Sequence, residues 1–160
     1  MFPNMLPGDW AEVKDIYLEG IATCNATFQK EAPAWEKWDK AHLAFGRIVS
    51  LDDTVMITGW AALSAVSSRC VYAGVAEVSV YVAAAHAGKQ TGTHLLQELV
   101  RESEAKGIWT LQAGIFPENK SRIRIHQKAG FRIVGYRERI GQMDGLWRDT
   151  LLLEPRSNNI

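Results

Sequence analysis

The sequence lacks a long apolar run, is poor in cysteine and carries no excess of either charge. No apolar stretch approaches the roughly 20 residues that a membrane-spanning helix needs, and no signal peptide is expected at the amino terminus. Lysine and arginine together number 18, as do aspartate and glutamate, so the basic excess typical of nucleic-acid-binding proteins is missing. We therefore expect neither a membrane nor a nucleic acid as a partner.

Cysteine occurs only at Cys24 and Cys70. The two are far apart in sequence and do not have the spacing of a metal-binding or redox pair. The four histidines also stand apart from one another and from the cysteines, so no metal site is predicted. Two reduced thiols favour a cytoplasmic location.

The length of 160 residues is typical of one domain. We expect a single domain over residues 1–155 and a loose C-terminal tail over 156–160. Helix-like and strand-like stretches alternate along the chain, which predicts an α/β or α+β fold.

Helical periodicity is clear at two places in the amino-terminal third of the chain. Asp9 is a suitable N-cap for a first helix, and a second helix should follow Pro33. The apolar stripe of the first helix consists of Trp10, Val13, Tyr17, Ile21 and Cys24, and that of the second of Trp35, Trp38, His42 and Phe45.

Strand patterns follow. Asp52-Asp53 predicts a turn between strands at 47–51 and about 55–66. After a loop, residues 75–82 alternate with a period of two. One face of this strand has Val78, Val80 and Val82, and the polar face has Glu77, Ser79 and Tyr81. Later elements are a helix at 91–106, a strand at 108–116, a short helix ending at Lys128, and strands at 131–137 and 147–153 joined by a loop that contains Gly141, Asp144 and Gly145.

The segment 78–100 predicts a strand, a glycine-bearing loop and a helix in direct succession. Free backbone N–H groups at such a helix start bind anions, and Lys89 would add positive charge. The signatures of dinucleotide-binding and P-loop folds are missing. The spacing alone leaves open that Gly88 and Gly92 serve only the geometry of the turn.

Six segments carry a resemblance to a known family. They are Asn25-Ala26-Thr27-Phe28, residues 76–82, the loop 86–92, Phe116-Pro117-Glu118-Asn119, residues 126–131 and Gly145-Leu146-Trp147-Arg148-Asp149. Their order resembles the GNAT superfamily of N-acetyltransferases, within it the phosphinothricin N-acetyltransferase group, which also handles methionine sulfoximine. The resemblance spans about residues 9–154. It implies a mixed, splayed central sheet flanked by helices, acetyl-CoA as co-substrate, a small-molecule amine as acceptor and a homodimer.

The resemblance also assigns the acetyl-CoA contacts. Backbone groups of Val80 and Val82 would bind the pantetheine arm. The pyrophosphate would lie on Ala87, Gly88, Lys89, Gln90, Thr91, Gly92 and Thr93. The superfamily pattern in this loop is Arg/Gln-x-x-Gly-x-Gly/Ala, and the chain departs from it at Ala87 and Gln90. We therefore expect weaker acetyl-CoA binding than in a member with the full pattern.

For catalysis, the resemblance makes Glu77 the base that accepts the amine proton. His126, seven residues after Asn119, would be a second base or a general acid, and Asn119 both a helix N-cap and an acetyl-CoA contact. From pattern alone, a solvent-facing charge on an amphipathic strand is the stronger interpretation of Glu77, and a half-buried packing residue is the stronger interpretation of His126.

The acceptor pocket is assigned by resemblance to Thr27 and Phe28 after the first helix and to Arg69 and Tyr72 before the strand at 75–82. Trp147, together with Asp149, would shape the pocket or a dimer contact, although Trp147 also fits a core position. Two other functions stay open: acetylation of a different small amine, and a catalytically weak acyl-CoA-binding or regulatory module, which the altered loop suggests.

Overall fold

The computed structural model describes all 160 residues and confirms a mixed α/β fold. The helices are α1 (Trp10–Ala22), α2 (Trp35–Ala41), α3 (Thr91–Ala105) and α4 (Lys120–Lys128). The strands are β1 (Ile48–Leu51), β2 (Ile57–Ala65), β3 (Val75–Val82), β4 (Thr110–Ile115), β5 (Arg132–Met143) and β6 (Leu146–Glu154). No helix is long and apolar enough to cross a membrane.

The six strands form one sheet in the order β1-β2-β3-β4-β6-β5. All neighbours are antiparallel except β3 and β4, which are parallel and pair only from Val75–Thr110 to Glu77–Gln112. Beyond Glu77, β3 remains paired with β2 while β4 pairs with β6. The sheet therefore opens into a V whose apex is Glu77–Gln112, as the resemblance implied.

The central strands are buried on both faces. Val78 and Val80 of β3 belong to a core that includes the leucines of α3, whereas Tyr81 belongs to a second core with Tyr17 of α1 and Trp60 of β2. Alternate residues of one strand thus enter different cores, because side chains alternate between the faces of a sheet.

The predicted polar face of β3 is wrong at Tyr81, which is only 8 % exposed. Its ring centroid lies 4.9 Å from those of Tyr17 and Trp60. The alternation of valine with Glu, Ser and Tyr indicated the strand correctly. The same pattern did not indicate the second core, because tyrosine is found at both solvent-exposed and buried positions.

The first two helices end earlier than their apolar stripes predict. Helix α1 ends at Ala22, and Cys24 is exposed with a positive φ of 55°. Asp9 precedes α1, but its carboxylate accepts a 2.7 Å hydrogen bond from the backbone N–H of Leu6 instead of capping the helix. Helix α2 stops at Ala41, so Phe45 lies beyond it.

The last two strands are longer than predicted and form a hairpin, here called the β5–β6 arm (residues 132–154). Gly141 lies within β5 and not in a loop. The connection is the two-residue turn Asp144-Gly145, and both residues have positive φ, as such hairpins require. Trp147 on this arm is 59 % exposed, which excludes a core position.

The C-terminal residues are tied to the domain. The backbone N–H of Ser157 donates to the carbonyl of Trp109 at 2.9 Å, and the Asn159 side chain donates to Glu104 at 3.0 Å. The segment predicted to be a tail thus makes hydrogen bonds to the domain through Ser157 and Asn159.

Candidate active site

A cavity of about 610 Å³ lies in the opening of the V, between the end of β3, the loop after it and helices α3 and α4. The sequence-predicted residues that line it are Val80, Val82, Ala87, Gly88, Gln90, Thr91, Gly92, Thr93, Asn119 and His126. Residues far apart in sequence therefore meet at one site because the sheet is splayed.

The loop before α3 is built to bind an anion. The backbone N–H groups of residues 88–93 donate to no protein acceptor, and the first helical bond runs from His94 to the carbonyl of Gln90. Gly88 and Gln90 have φ of +77° and +65°. Gln90 is therefore left-handed, which costs about 1 kcal/mol in a residue with a side chain.

Positive charge at the cavity comes from α4. Arg122, Arg124 and Lys128 line the cavity, whereas the predicted contributor Lys89 is exposed and does not. Sequence reasoning missed these cations. The available signal was a nine-residue helix with four basic and no acidic residues.

The other wall is the open edge of β3. From Val78 onwards this strand has no partner on the β4 side, and Val80, Tyr81 and Val82 line the cavity. A ligand with amide groups can satisfy such an edge as an added strand would.

Glu77 lies at the apex of the V, where β3 and β4 part. Its carboxylate is exposed, makes no ion pair and accepts one hydrogen bond from Gln112 Nε2 at 3.2 Å. It does not itself line the cavity, but it lies on the same strand three residues before Val80. A carboxylate with free lone pairs there is placed to accept a proton from a reactant at the closed end of the opening.

His126 is 1 % exposed, and its Nδ1 lies 2.8 Å from the carbonyl oxygen of Arg122. Burial, together with the positive charge of Arg122, lowers the pKa of His126 to about 4. Because a carbonyl only accepts, Nδ1 carries the proton and Nε2 has the lone pair. Nε2 is buried and has no hydrogen-bond partner, although His126 is one of the residues that line the cavity. This geometry does not fit the general-acid role.

Asn119 caps α4, as predicted. Its side-chain oxygen accepts from the backbone N–H of Arg122 at 3.2 Å. Its Nδ2 donates to the carbonyl of Asn25 at 3.0 Å, which links the cavity wall to the segment after α1.

The four predicted acceptor residues do not line the cavity and fall into two pairs. Phe28 packs edge-on against Phe116, with ring centroids 4.9 Å apart, and Thr27 accepts from the backbone N–H of Gln29. The Arg69 guanidinium lies 5.5 Å from the ring centroid of Tyr72 in the exposed loop before β3. No hydrogen bond or ring contact joins the two pairs.

Comparison with known proteins identifies the family. The sequence model described as the acetyltransferase (GNAT) family matches residues 10–131. The chain belongs to the GNAT family. An L-methionine sulfoximine/L-methionine sulfone acetyltransferase of Pseudomonas aeruginosa is 30 % identical over 150 residues, 93 % of this GNAT chain and 87 % of the relative. The phosphinothricin N-acetyltransferase of Streptomyces coelicolor is 28 % identical over 153 residues, 91 % and 90 % of the two chains.

A solved GNAT structure shows the co-substrate. The crystal structure of a phosphinothricin acetyltransferase from Sinorhizobium meliloti in complex with acetyl-CoA has a TM-score of 0.88 to this chain. It is 27 % identical, with 98 % of this chain and 87 % of that one covered. The GNAT chain described here is an acetyl-CoA-dependent N-acetyltransferase. Its six free N–H groups and the cations of α4 suit the phosphates of acetyl-CoA, and the open edge of β3 suits the amides.

Proposed function

We propose that this enzyme transfers the acetyl group of acetyl-CoA to the amino group of an amino acid resembling phosphinothricin or methionine sulfoximine. The observation that carries the proposal is the exposed Glu77 carboxylate at the apex of the V, next to the strand edge that suits acetyl-CoA. The names of the relatives in Pseudomonas aeruginosa and Streptomyces coelicolor support the substrate class.

Acetyl-CoA supplies the activated thioester. Attack requires a neutral amine, so Glu77 accepts the amine proton directly or through one water. The amine nitrogen forms the new C–N bond and the carbonyl carbon becomes tetrahedral. The C–S bond then breaks, and the CoA sulfur takes up the proton that the nitrogen releases and leaves as the thiol. A free N–H group of β3 would stabilise the negative charge on the carbonyl oxygen. His126, which lines the cavity, would be a second proton acceptor.

Acceptor recognition would come from the two pairs of residues outside the cavity. Arg69 contacts only the Tyr72 ring and makes no ion pair, so its guanidinium is free to bind a carboxylate in bidentate fashion. Thr27 and Phe28 would form the opposite side of the acceptor pocket. A polyamine would require acidic side chains there instead, which disfavours that alternative.

The proposal extends to assembly and location. Exposed apolar side chains on the β5–β6 arm suit a contact between two copies, and we propose a homodimer through this arm. Both cysteines are free, which suits the reducing cytoplasm.

The experiment is to measure thiol release from acetyl-CoA with phosphinothricin, methionine sulfoximine, common amino acids and a polyamine. We expect turnover with the first two, and a fall in kcat/KM of roughly a hundredfold or more in Glu77→Gln because the base is lost. Glu36→Gln, at an exposed site on α2, is the matched control and should match the wild type. Turnover only with other amines would reject the substrate class. Full activity in Glu77→Gln would reject the base.

A further inference from the structure

The guanidinium of Arg148 connects three parts of the molecule. It lies 3.7 Å from the ring centroid of Phe116. Nη1 donates to the carbonyl of Cys24 at 2.6 Å, and Nη2 donates to Asn25 Oδ1 at 3.0 Å and to Glu118 at 3.3 Å. The Arg148 side chain is only 17 % exposed. Arginine suits this position because its planar guanidinium can stack on a ring and donate several hydrogen bonds at the same time.

Two of these contacts hold the segment after α1, here called the acceptor loop (residues 23–30). This loop contains no helix or strand, so its position depends on contacts with other elements. Cys24 has a left-handed backbone, and Arg148 binds the carbonyl of that residue. The arginine therefore fixes the direction in which the chain leaves α1.

The β5–β6 arm makes two further contacts with the acceptor loop. Gly141 lies opposite Arg148 in the strand register, and a Cβ at Gly141 would lie 2.9 Å from the Phe28 ring. Lys30 forms an ion pair with Asp144 at the turn, but both side chains are more than 60 % exposed, so this pair contributes little. Of the three contacts, only that of Arg148 combines burial with charge-assisted hydrogen bonds.

We propose that Arg148 is a positioning residue that holds the acceptor loop against the β5–β6 arm and thereby sets the affinity for the amine. The inference rests on the proposed function, because it takes Thr27 and Phe28 as one side of the acceptor pocket. Arg148 does not line the cavity, and the acceptor loop contributes only Thr23 and Ala26 to the lining. Loss of Arg148 should therefore affect the amine far more than acetyl-CoA.

The test compares Arg148→Gln and Arg148→Lys with Arg132→Gln. Arg132 is the matched control, since it lies on the same arm and makes only an exposed ion pair with Glu154. In Arg148→Gln we expect KM for the amine to rise roughly tenfold, because small displacements of positioning groups are costly. KM for acetyl-CoA and kcat should stay within about threefold. Arg148→Lys should recover part of the loss, and Arg132→Gln should match the wild type.

Hydrogen exchange of the amides at 23–30 is the second measurement and needs no acceptor. Faster exchange confined to this loop in Arg148→Gln supports the proposal. Unchanged exchange, an unchanged KM for the amine, or an equal rise of both KM values overturns it. If the wild type acetylates none of the amines, the proposed function fails, and the exchange measurement still decides whether Arg148 holds the loop.

Discussion

At the scale of single residues, Gln90 carries backbone strain at the start of the acetyl-CoA site. It is left-handed where the GNAT superfamily pattern has glycine, and it lies among the free N–H groups that suit the phosphates of acetyl-CoA. We expect Gln90→Gly to raise the free energy of unfolding by up to about 1 kcal/mol and to lower the Kd of acetyl-CoA a few-fold. Denaturant unfolding and calorimetric titration measure the two quantities.

The matched control for that change is Gln90→Ala. It removes the long side chain but keeps the strained φ, so it should show neither gain. If alanine improves binding as much as glycine does, the side chain and not the backbone limits the affinity.

His126 is the second residue whose environment gives a testable result. The pKa of His126 is about 4 in the folded chain against an ordinary 6.5, so the unfolded chain binds more protons between these values. The free energy of unfolding should therefore fall as the pH drops from 6.5 towards 4, by about 3 kcal/mol in total.

The comparison for this prediction is His126→Asn, in which Nδ2 can still donate to the carbonyl of Arg122 but no longer titrates. Urea unfolding at pH 4.5 and 7 should show a smaller difference in the variant than in the wild type. Equal differences would mean that other groups, such as the half-buried His42, whose pKa is also lowered by burial, account for the acid sensitivity.

At the scale of elements, α1 reaches β3 because Gly20 has no side chain. A Cβ there would lie 2.6 Å from the Tyr81 ring, which is packed between Tyr17 and Trp60. Gly20→Ala should therefore destabilise the fold by about 1–3 kcal/mol, although alanine favours a helix. Thermal unfolding measures this, with Gly8→Ala as control since nothing lies within 4 Å of that position. If Gly20→Ala is more stable than the wild type, the Tyr81 ring has room to move away from a Cβ at position 20.

Elements whose ends are set by nearby side chains could be predicted from the sequence. Asp52 ends β1 as predicted because its own carboxylate accepts from the backbone N–H groups of Thr54 and Met56. Asn119 begins α4 in the same way. The β5–β6 arm was predicted too short, because its outer half packs on no core and lacks the alternation on which strand prediction depends.

At the scale of the whole molecule, site residues that lie close together in sequence could be predicted, whereas contacts between distant segments could not. The loop 86–92 and Glu77 lie within 16 residues of each other, and the family resemblance of these short segments predicted the acetyl-CoA site where local spacing alone did not. The cations of α4 and the contacts of Arg148 depend on how distant segments meet across the V. The basic residues of α4 are visible as a local pattern, but their place at the cavity and the contacts of Arg148 are not.

The assembly prediction also belongs at this scale. The arm exposes several large apolar side chains: Ile133, Tyr136, Ile140, Leu146 and Trp147. We expect light scattering to give twice the 17.8 kDa chain mass, and Leu146→Glu to shift the enzyme towards monomer because it places charge in the contact. Met56→Glu, at an equally exposed site away from the arm, should remain dimeric. A monomeric wild type would refute the dimer.

The splayed sheet has a consequence for the tendency of the enzyme to aggregate. Past Glu77 and Gln112, β3 and β4 present unpaired backbone edges that face each other across an open gap. Unpaired edges are templates for pairing with strands of other chains. Under the proposed function, acetyl-CoA would fill that gap as an added strand does. Enzyme without bound acetyl-CoA should therefore aggregate sooner than enzyme with acetyl-CoA bound, so the colloidal stability should rise with the concentration of the co-substrate.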